Sequence, residues 1–464
     1  MQAPDQLATI GEQGKRLDLY PSVVDGKYRS RKNGLYILLI GIFLGLPWVR
    51  IGGEPAVLFD LATRKFSLFG ILFWAHDAPL LFLVIGSLFM TIFFLTAVWG
   101  RFWCGWACPQ TVFIDAVFRR IERWVEGDSV TRRRRDALPW DTDKITRKSL
   151  KWMLFLICAL IITHSFLAYF MGTERLAEMI RSSPSENWGT FLFMAFSTGI
   201  ILFNFGWFRE QFCLILCPYG RLQGVLMDTR TLLVGYDSSR GEPRRSKEAD
   251  CVDCKKCVQV CPTGIDIRNG TQFECIACAA CIDACDSVML KLKKPTGLVG
   301  YRTESGLGAT PFRTRPILYF FILGILITTL GYLLITRKPV SITIIRNASL
   351  PYEKVGTEED TRVKNSFHVD LHNQGFAPLR LSYRTDSPSV EVQMGSNSTL
   401  DGNSILLPVG AIVRLPLEVR FSPSTLSMGH GKLSMTFDAV PMGSNPKLEQ
   451  WTLTQEVPLV GPLR

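Results

Sequence analysis

Cysteine is missing from the whole chain beyond Cys285, although thirteen precede that point in 464 residues. Residues 339–464 can therefore hold neither a disulfide framework nor a thiolate metal site. They also lack an excess of either charge. Their 11 Lys+Arg against 12 Asp+Glu leave a net of −1, so the overall +11 comes from +12 on residues 1–338. Basic residues are scarce between the third and fourth long apolar runs, with only Arg175 and Arg181 there. The densest basic stretch, Arg132 to Arg135, lacks interleaved aromatics. That argues against a nucleic-acid partner and for a topogenic or lipid-facing loop. No small-residue cleavage site follows the first apolar run, which sits behind a polar tail of more than thirty residues. That run is expected to be an anchor and not a removable signal peptide.

Eight of the cysteines are packed into Cys251–Cys285, as CVDCKKCVQVCP and CIACAACIDACD. In each run three cysteines are separated by two residues and a fourth follows after three more. This is the bacterial two-cluster ferredoxin spacing, in which three close thiolates hold one [4Fe–4S] cluster and the fourth ligates the other. By that rule Cys251, Cys254, Cys257 and Cys285 hold one cluster, and Cys275, Cys278, Cys281 and Cys261 the other. The turn-rich PTGIDIRNGTQFE between the runs lets them fold back on each other. A zinc ribbon needs four ligands in two pairs, which an eightfold repeat does not supply economically. A disulfide knot does not suit the reducing side of a membrane. The second run closes with Cys285-Asp286 where the first has Cys261-Pro262, so local geometry and potential are expected to differ.

The composition is 47% hydrophobic with positive mean hydropathy. A membrane-spanning helix needs about 20 residues at ~1.5 Å each. Leu80 to Trp99, Leu150 to Met171, Trp188 to Phe208 and Ile317 to Thr336 satisfy this, and Leu35 to Val49 does so if its flanks join in. The tail before the first run carries Lys15, Arg16, Lys27, Arg29, Arg31 and Lys32, and the loop after the second carries Arg119, Arg120, Arg123 and Arg132 to Arg135. By the positive-inside rule these and the cysteine-rich stretch are cytoplasmic, and five crossings put the remainder outside. Arg337 and Lys338 oppose this mildly.

Two further cysteine pairs lie at the ends of the second and fourth runs, in FWCGWACPQ (Cys104, Cys108) and QFCLILCPYG (Cys213, Cys217). They align at an offset of 109 residues, matching an aromatic (Trp103, Phe212), both cysteines and a proline (Pro109, Pro218). The first four helices thus read as a duplicated two-helix unit. Cysteines at i and i+4 share a helix face, and the proline is expected to end or kink the preceding turn. Four soft thiolates would favour Cu(I), zinc or an iron–sulfur centre. Small buried packing residues are the plainer alternative. Cys158 and His164 in the third run read as packing, although a histidine inside a bilayer segment is a functional candidate. His76 and Asp77 fall in the loop 52–78, which reads as a short hairpin.

Residues 218–250 form a basic connector, and Lys255, Lys256, Lys291, Lys293 and Lys294 bracket the cluster ligands, a charge suited to acidic redox partners. Over 339–464, period-two runs such as KNSFHVDLHN and IVRLPLEVRF, separated by Gly, Pro, Asn and Ser, read as an immunoglobulin-like β-sandwich. Its His368, His372, Met394 and Met428 are too scattered to suggest a copper site.

The chain closely resembles the CcoG/FixG/RdxA family of accessory proteins for cbb-type haem-copper oxidases. The resemblance rests on the eight-cysteine set, the paired C-x3-C-P motifs, the spans and the cysteine-free sandwich, in that order, over nearly the whole length. It implies a multi-pass protein of the bacterial inner (cytoplasmic) membrane. Its parts would be a flexible cytoplasmic arm (1–34), a four-helix membrane domain (35–217), a cytoplasmic connector and two-cluster ferredoxin domain (218–300), a fifth transmembrane helix (315–338) and a periplasmic sandwich (339–464). It further implies a cupric reductase with two [4Fe–4S] clusters, whose Cys104, Cys108, Cys213 and Cys217 handle copper. The partners implied are the lipid bilayer, a cytoplasmic electron donor, and a copper chaperone or oxidase assembly factors. An electron conduit within a membrane reductase and an assembly scaffold with redox-sensing clusters are the rival readings.

Overall fold

The computed structural model describes Thr9 and residues 17–51, 53–73, 77–304, 312–338, 340–347, 350–356, 362–375, 377–395, 404–442 and 451–462. His76 lies outside them. The chain divides into two compact units, residues 1–70 with 75–330, and residues 71–74 with 331–464.

Among the described residues, four helices are long and apolar enough to cross a membrane. They are Ala78–Trp99 (mean hydropathy 2.5), Thr142–Met171 (2.2), Trp188–Phe208 (1.7) and Thr314–Thr336 (2.3). Their outward Phe82, Leu88, Phe196 and Phe320 are exposed, a surface that hydrocarbon can cover and water cannot. The second of these helices reaches 30 residues because a polar turn precedes the apolar run, started by Asp141 accepting the Lys144 N–H at 2.8 Å. The Trp188 helix is α-helical to Phe203 and π-helical over Asn204–Phe208.

The first apolar run does not reach their length. It forms part of the helix Lys27–Gly45, which stops where Pro47 enters a 3-10 turn at Leu46–Trp48. This helix nevertheless lies along the long third helix. The Tyr169 hydroxyl donates to the Phe43 carbonyl at 2.8 Å, two residues before that helix ends. The loop read as a hairpin contains one: Val57–Asp60 pairs antiparallel with Lys65–Leu68.

Two expectations need correction. The arm over 1–34 is docked where it is described. Ser22 N–H donates to Gln259 O at 2.9 Å and Tyr20 to Asp136 at 2.7 Å. Asp283 accepts the N–H groups of Tyr28 and Arg29 at 3.1 and 2.7 Å. The first turn of the Lys27 helix has no side-chain cap of its own, so a carboxylate from far along the chain supplies it.

The arginine run is likewise no loop. It lies in the helix Ser129–Ala137, and Arg132 is buried against Glu122 at 2.7 Å and Glu126 at 3.6 Å. Arg209 pairs with Glu122 from the end of the fourth helix, and Lys151 with Glu126 at 2.8 Å. Burial opposes the charged form of Glu122, but Arg209 and Arg132 outweigh it and hold the carboxyl at about 2. Its stabilisation is therefore present above the ordinary carboxylate range and lost as pH falls toward 2. Glu122→Gln should lower stability by about 3–5 kcal/mol, because it strands buried cations. The exposed Lys432–Glu456 pair should be worth under about 1 kcal/mol. Thermal unfolding of the two variants in one detergent makes the comparison, and equal shifts would refute it.

The connector is partly ordered into the helix Pro218–Leu226 and the strand Leu233–Tyr236, which pairs antiparallel with Val299–Arg302. The two ends of the cysteine-rich segment are thereby tied together.

The second unit contains two antiparallel sheets. One has the order Glu391–Met394, Ile412–Phe421, Arg362–Asn373, Val340–Arg346, with Glu353–Val355 also on the central strand. The other runs Ser404–Leu407, Leu379–Thr385, His430–Pro441, Trp451–Val460. Arg362–Asn373 alternates buried and half-buried residues, placing Val369 and Leu371 in a core with Leu381, Leu417, Phe437 and Val457.

Candidate functional site

The eight clustered cysteines line two cavities. Around one stand Cys251, Cys254, Cys257 and Cys285, with Tyr236, Met289, Leu298 and Val299. Around the other stand Cys261, Cys275, Cys278 and Cys281, with Cys257 also touching it, and Val234, Ile265, Ile267 and Ile276 behind. The fourth cysteine of each run thus reaches the cavity of the other run.

The backbone around them repeats as well. Asp253 and Lys255 flank Cys254 with φ of 55° and 56°, and Ala277 and Ala279 flank Cys278 with 53° and 62°. A left-handed non-glycine residue costs about 1–2 kcal/mol. Four at matched places turn successive N–H groups inward into the anion-binding concavity that cluster sulfides require. Burial pushes the Cys257 thiol up to about 11 and those of Cys275 and Cys285 up to about 12. As free thiols they would be neutral at pH 7, and iron takes the place of their protons. The residues present fit two cubanes.

The C-x3-C-P motifs are also built alike. Cys108 and Cys217 are both extended N-cap residues, with Pro109 and Pro218 as the first residues of the helices that follow. As expected, the preceding helical turns end just before each proline, at Trp106 and Leu216, and the proline begins a new helix, where its missing N–H costs nothing. The N–H of each of these cysteines donates five residues back, Cys108 to Trp103 O at 2.9 Å and Cys217 to Phe212 O at 2.8 Å. Four residues before each first cysteine the chain breaks identically, at Gly100 (φ 56°, ψ −125°) and Arg209 (φ 50°, ψ −122°). The offset of 109 therefore holds for backbone geometry where the side chains differ.

Gln223 Nε2 donates to Cys104 Sγ at 3.3 Å. Burial raises the thiols of Cys108 and Cys213 and pushes Cys104 up to about 11. Among the described residues no three His, Cys, Asp or Glu side chains converge as the ligands of a single ion. Cys158 packs with Phe155 and Ile162, and His164 Nδ1 lies 2.7 Å from the Leu160 carbonyl of its own helix.

The first motif lies directly on the second cavity. A Cβ on Gly105 would stand 2.5 Å from Ile276 O and 2.8 Å from Cys278 Cα. Arg101 donates to Phe273 O and, at 2.6 Å, to Gly220 O, joining the first motif to the cluster loop and to the second motif. Lys32 Nζ reaches Cys278 O at 3.3 Å. Trp106 Nε1 donates to Tyr301, whose hydroxyl donates to Ala277 O, both at 3.0 Å.

Comparison with known proteins decides what kind of chain this is. The chain is 33% identical to Protein RdxA of Cereibacter sphaeroides over 84% of its own length and 87% of that protein's. It is 36% identical to Protein RdxB of the same organism (81% and 83% covered) and 32% identical to the nitrogen fixation protein FixG of Rhizobium meliloti (87% and 86%). The chain belongs to the FixG/RdxA family. A family model for a 4Fe-4S dicluster domain matches residues 208–249 and 243–304, and one for a 4Fe-4S binding domain matches 81–127, which includes Cys104 and Cys108. One for the IG-like fold at the C-terminal of FixG matches 330–462. This member is accordingly a membrane iron–sulfur electron-transfer protein with an Ig-like C-terminal domain.

Sequence reasoning missed Arg101, Gly105 and Gln223. Gly105 alone left a signal, a glycine within a short helical turn.

Proposed function

We propose that this chain is a cupric reductase, taking single electrons from a cytoplasmic donor and giving them to Cu(II) at the paired C-x3-C-P motifs. Two [4Fe–4S] clusters supply one-electron reduction when bound. Cys251, Cys254, Cys257 and Cys285 hold one, and Cys275, Cys278, Cys281 and Cys261 the other. Cys104, Cys108, Cys213 and Cys217 take the metal substrate. Copper binding displaces the thiol protons. One electron then converts Cu(II) to Cu(I), which thiolates favour. The product passes to a copper chaperone or assembly factors of a cbb-type oxidase. In this reading the arm and cluster domain face the cytoplasm of the bacterial inner membrane, and the sandwich faces the periplasm.

The observation that carries the reading is the seating of Gly105, one residue from Cys104, on the backbone of Cys278. It leaves no intervening side chain between the first motif and a cluster-ligand loop.

The test is anaerobic. The purified protein is reduced, Cu(II) is added, and reoxidation is followed together with Cu(I) capture by a chelator. The double variant Cys104→Ala/Cys108→Ala should slow copper-dependent reoxidation by about 100-fold or more while keeping about eight irons per chain. A variant as fast as the unaltered protein would return the chain to the conduit or scaffold readings.

A further inference from the structure

We infer that the surface around Cys254 is the electron inlet, and that its partner is a small acidic protein carrying a one-electron centre. This deepens the reading above by naming the class of the donor. It rests on the clusters and not on copper.

The two cavities differ in access. Cys254 is exposed, whereas Cys251 and Cys257 are buried. The equivalent cysteine of the second run, Cys278, is half-buried, with Gly105 of the first motif seated on its backbone. An electron delivered by another protein needs close approach, and Cys254 alone of the eight cluster cysteines is exposed.

The charges differ in the same sense. Lys255 and Lys256 follow Cys254 and are exposed, while the second run has Ala279 and Ala280 in their places. Lys294 donates to Ala249 O at 2.6 Å and lies 3.8 Å from Asp250, bringing the segment 290–294 beside the first run. That segment adds the exposed Lys291 and Lys293. Two nearby carboxylates are engaged by arginines, and Glu248 is exposed. Asp253 is held by Arg245 at 2.8 Å and Arg268 at 2.5 Å, and Asp250 by Arg240 at 2.8 Å.

The rim therefore keeps an excess of exposed lysine charge, around the exposed apolar side chains of Val252, Leu290 and Leu292. An apolar centre within a rim of one charge sign is the anatomy of a transient protein interface. Such a rim speeds encounter with an opposite charge by about 10–10³-fold at low salt. In the step itself one electron leaves the partner's centre, which is oxidised by one unit, and this chain is reduced by one. No bond or proton is exchanged.

The experiment uses the full chain, loaded with both clusters, in neutral-lipid nanodiscs, and reduced plant-type [2Fe–2S] ferredoxin as the acidic probe. Binding is measured by titration and cluster reduction by stopped flow. Raising the salt from about 20 to about 300 mM should weaken binding at least about tenfold. Lys256→Glu/Lys291→Glu/Lys293→Glu should slow association by about tenfold or more at low salt, with iron content and reduction by dithionite unchanged. Lys→Gln replacements at the same positions should give an intermediate loss, and Lys432→Glu none. The inference is overturned if ferredoxin shows no salt-dependent binding, if the triple Glu variant binds it unchanged, or if these lysines govern binding to anionic vesicles and not to the carrier.

Discussion

Replacing Cys261 with alanine should remove the cluster of the second cysteine run, although Cys261 belongs to the first. Iron should fall from about eight to about four per chain, and Cys285→Ala should give the same count by losing the other cluster. The single variants cannot reveal the crossing, but pairs can. Cys261 shares its cavity with Cys275, Cys278 and Cys281, and Cys254 stands in the other cavity with Cys285. With crossed ligation, Cys261→Ala/Cys278→Ala keeps about four irons and Cys261→Ala/Cys254→Ala keeps none. Ligation within each run reverses the two results. Iron analysis with low-temperature EPR of the reduced proteins reads the outcome directly.

Gly105→Val should separate the two redox sites without emptying either. The atoms it would strike are backbone, Ile276 O, Cys278 Cα and Ala277 C, all within 2.9 Å of an added Cβ. No rotamer change can relieve contacts of that kind, so the first motif must lift off the cluster loop. Overpacking of this sort costs about 1–3 kcal/mol. Cluster reoxidation by Cu(II) should slow by about tenfold or more, a barrier change of ~1.4 kcal/mol or above. Iron content should remain at its full value. Gly34→Ala and Gly41→Ala, whose added methyls would meet nothing within 4 Å, should leave both readouts unchanged. A Gly105→Val protein that reoxidises at the normal rate would remove the central support for direct transfer between the sites.

The sequence made the chemistry legible where it depends on short spacing. Eight cysteines in a repeated pattern specify their own cavities, because loops of two or three residues leave the sulfurs little freedom. The sandwich was legible for a related reason, since a period of two puts Val363, Phe367, Val369 and Leu371 on one face. Relations between distant parts were not. Arg132 to Arg135 read as a topogenic or lipid-facing loop because the run lacks aromatics and lies beside a membrane segment, yet it is helical, and Glu122 and Glu126 of a neighbouring helix neutralise Arg132. Arg209 and Gly100 share no side-chain chemistry, so their common backbone break was invisible at an offset that matched the cysteines. A positive φ leaves a signal only when glycine supplies it; at Arg209 the ion pair with Glu122 supports the conformation instead.

Asp283 caps the Lys27 helix across 255 residues, and this has a consequence for biosynthesis. At ~5–20 residues per second, the first turn leaves the ribosome roughly 13–50 s before its acceptor does. During that interval the membrane helices can insert while the leading segment hangs free, and the wall it builds against Cys278 through Lys32 is still open. Docking of the earliest-made residues thus waits on a cluster segment made much later.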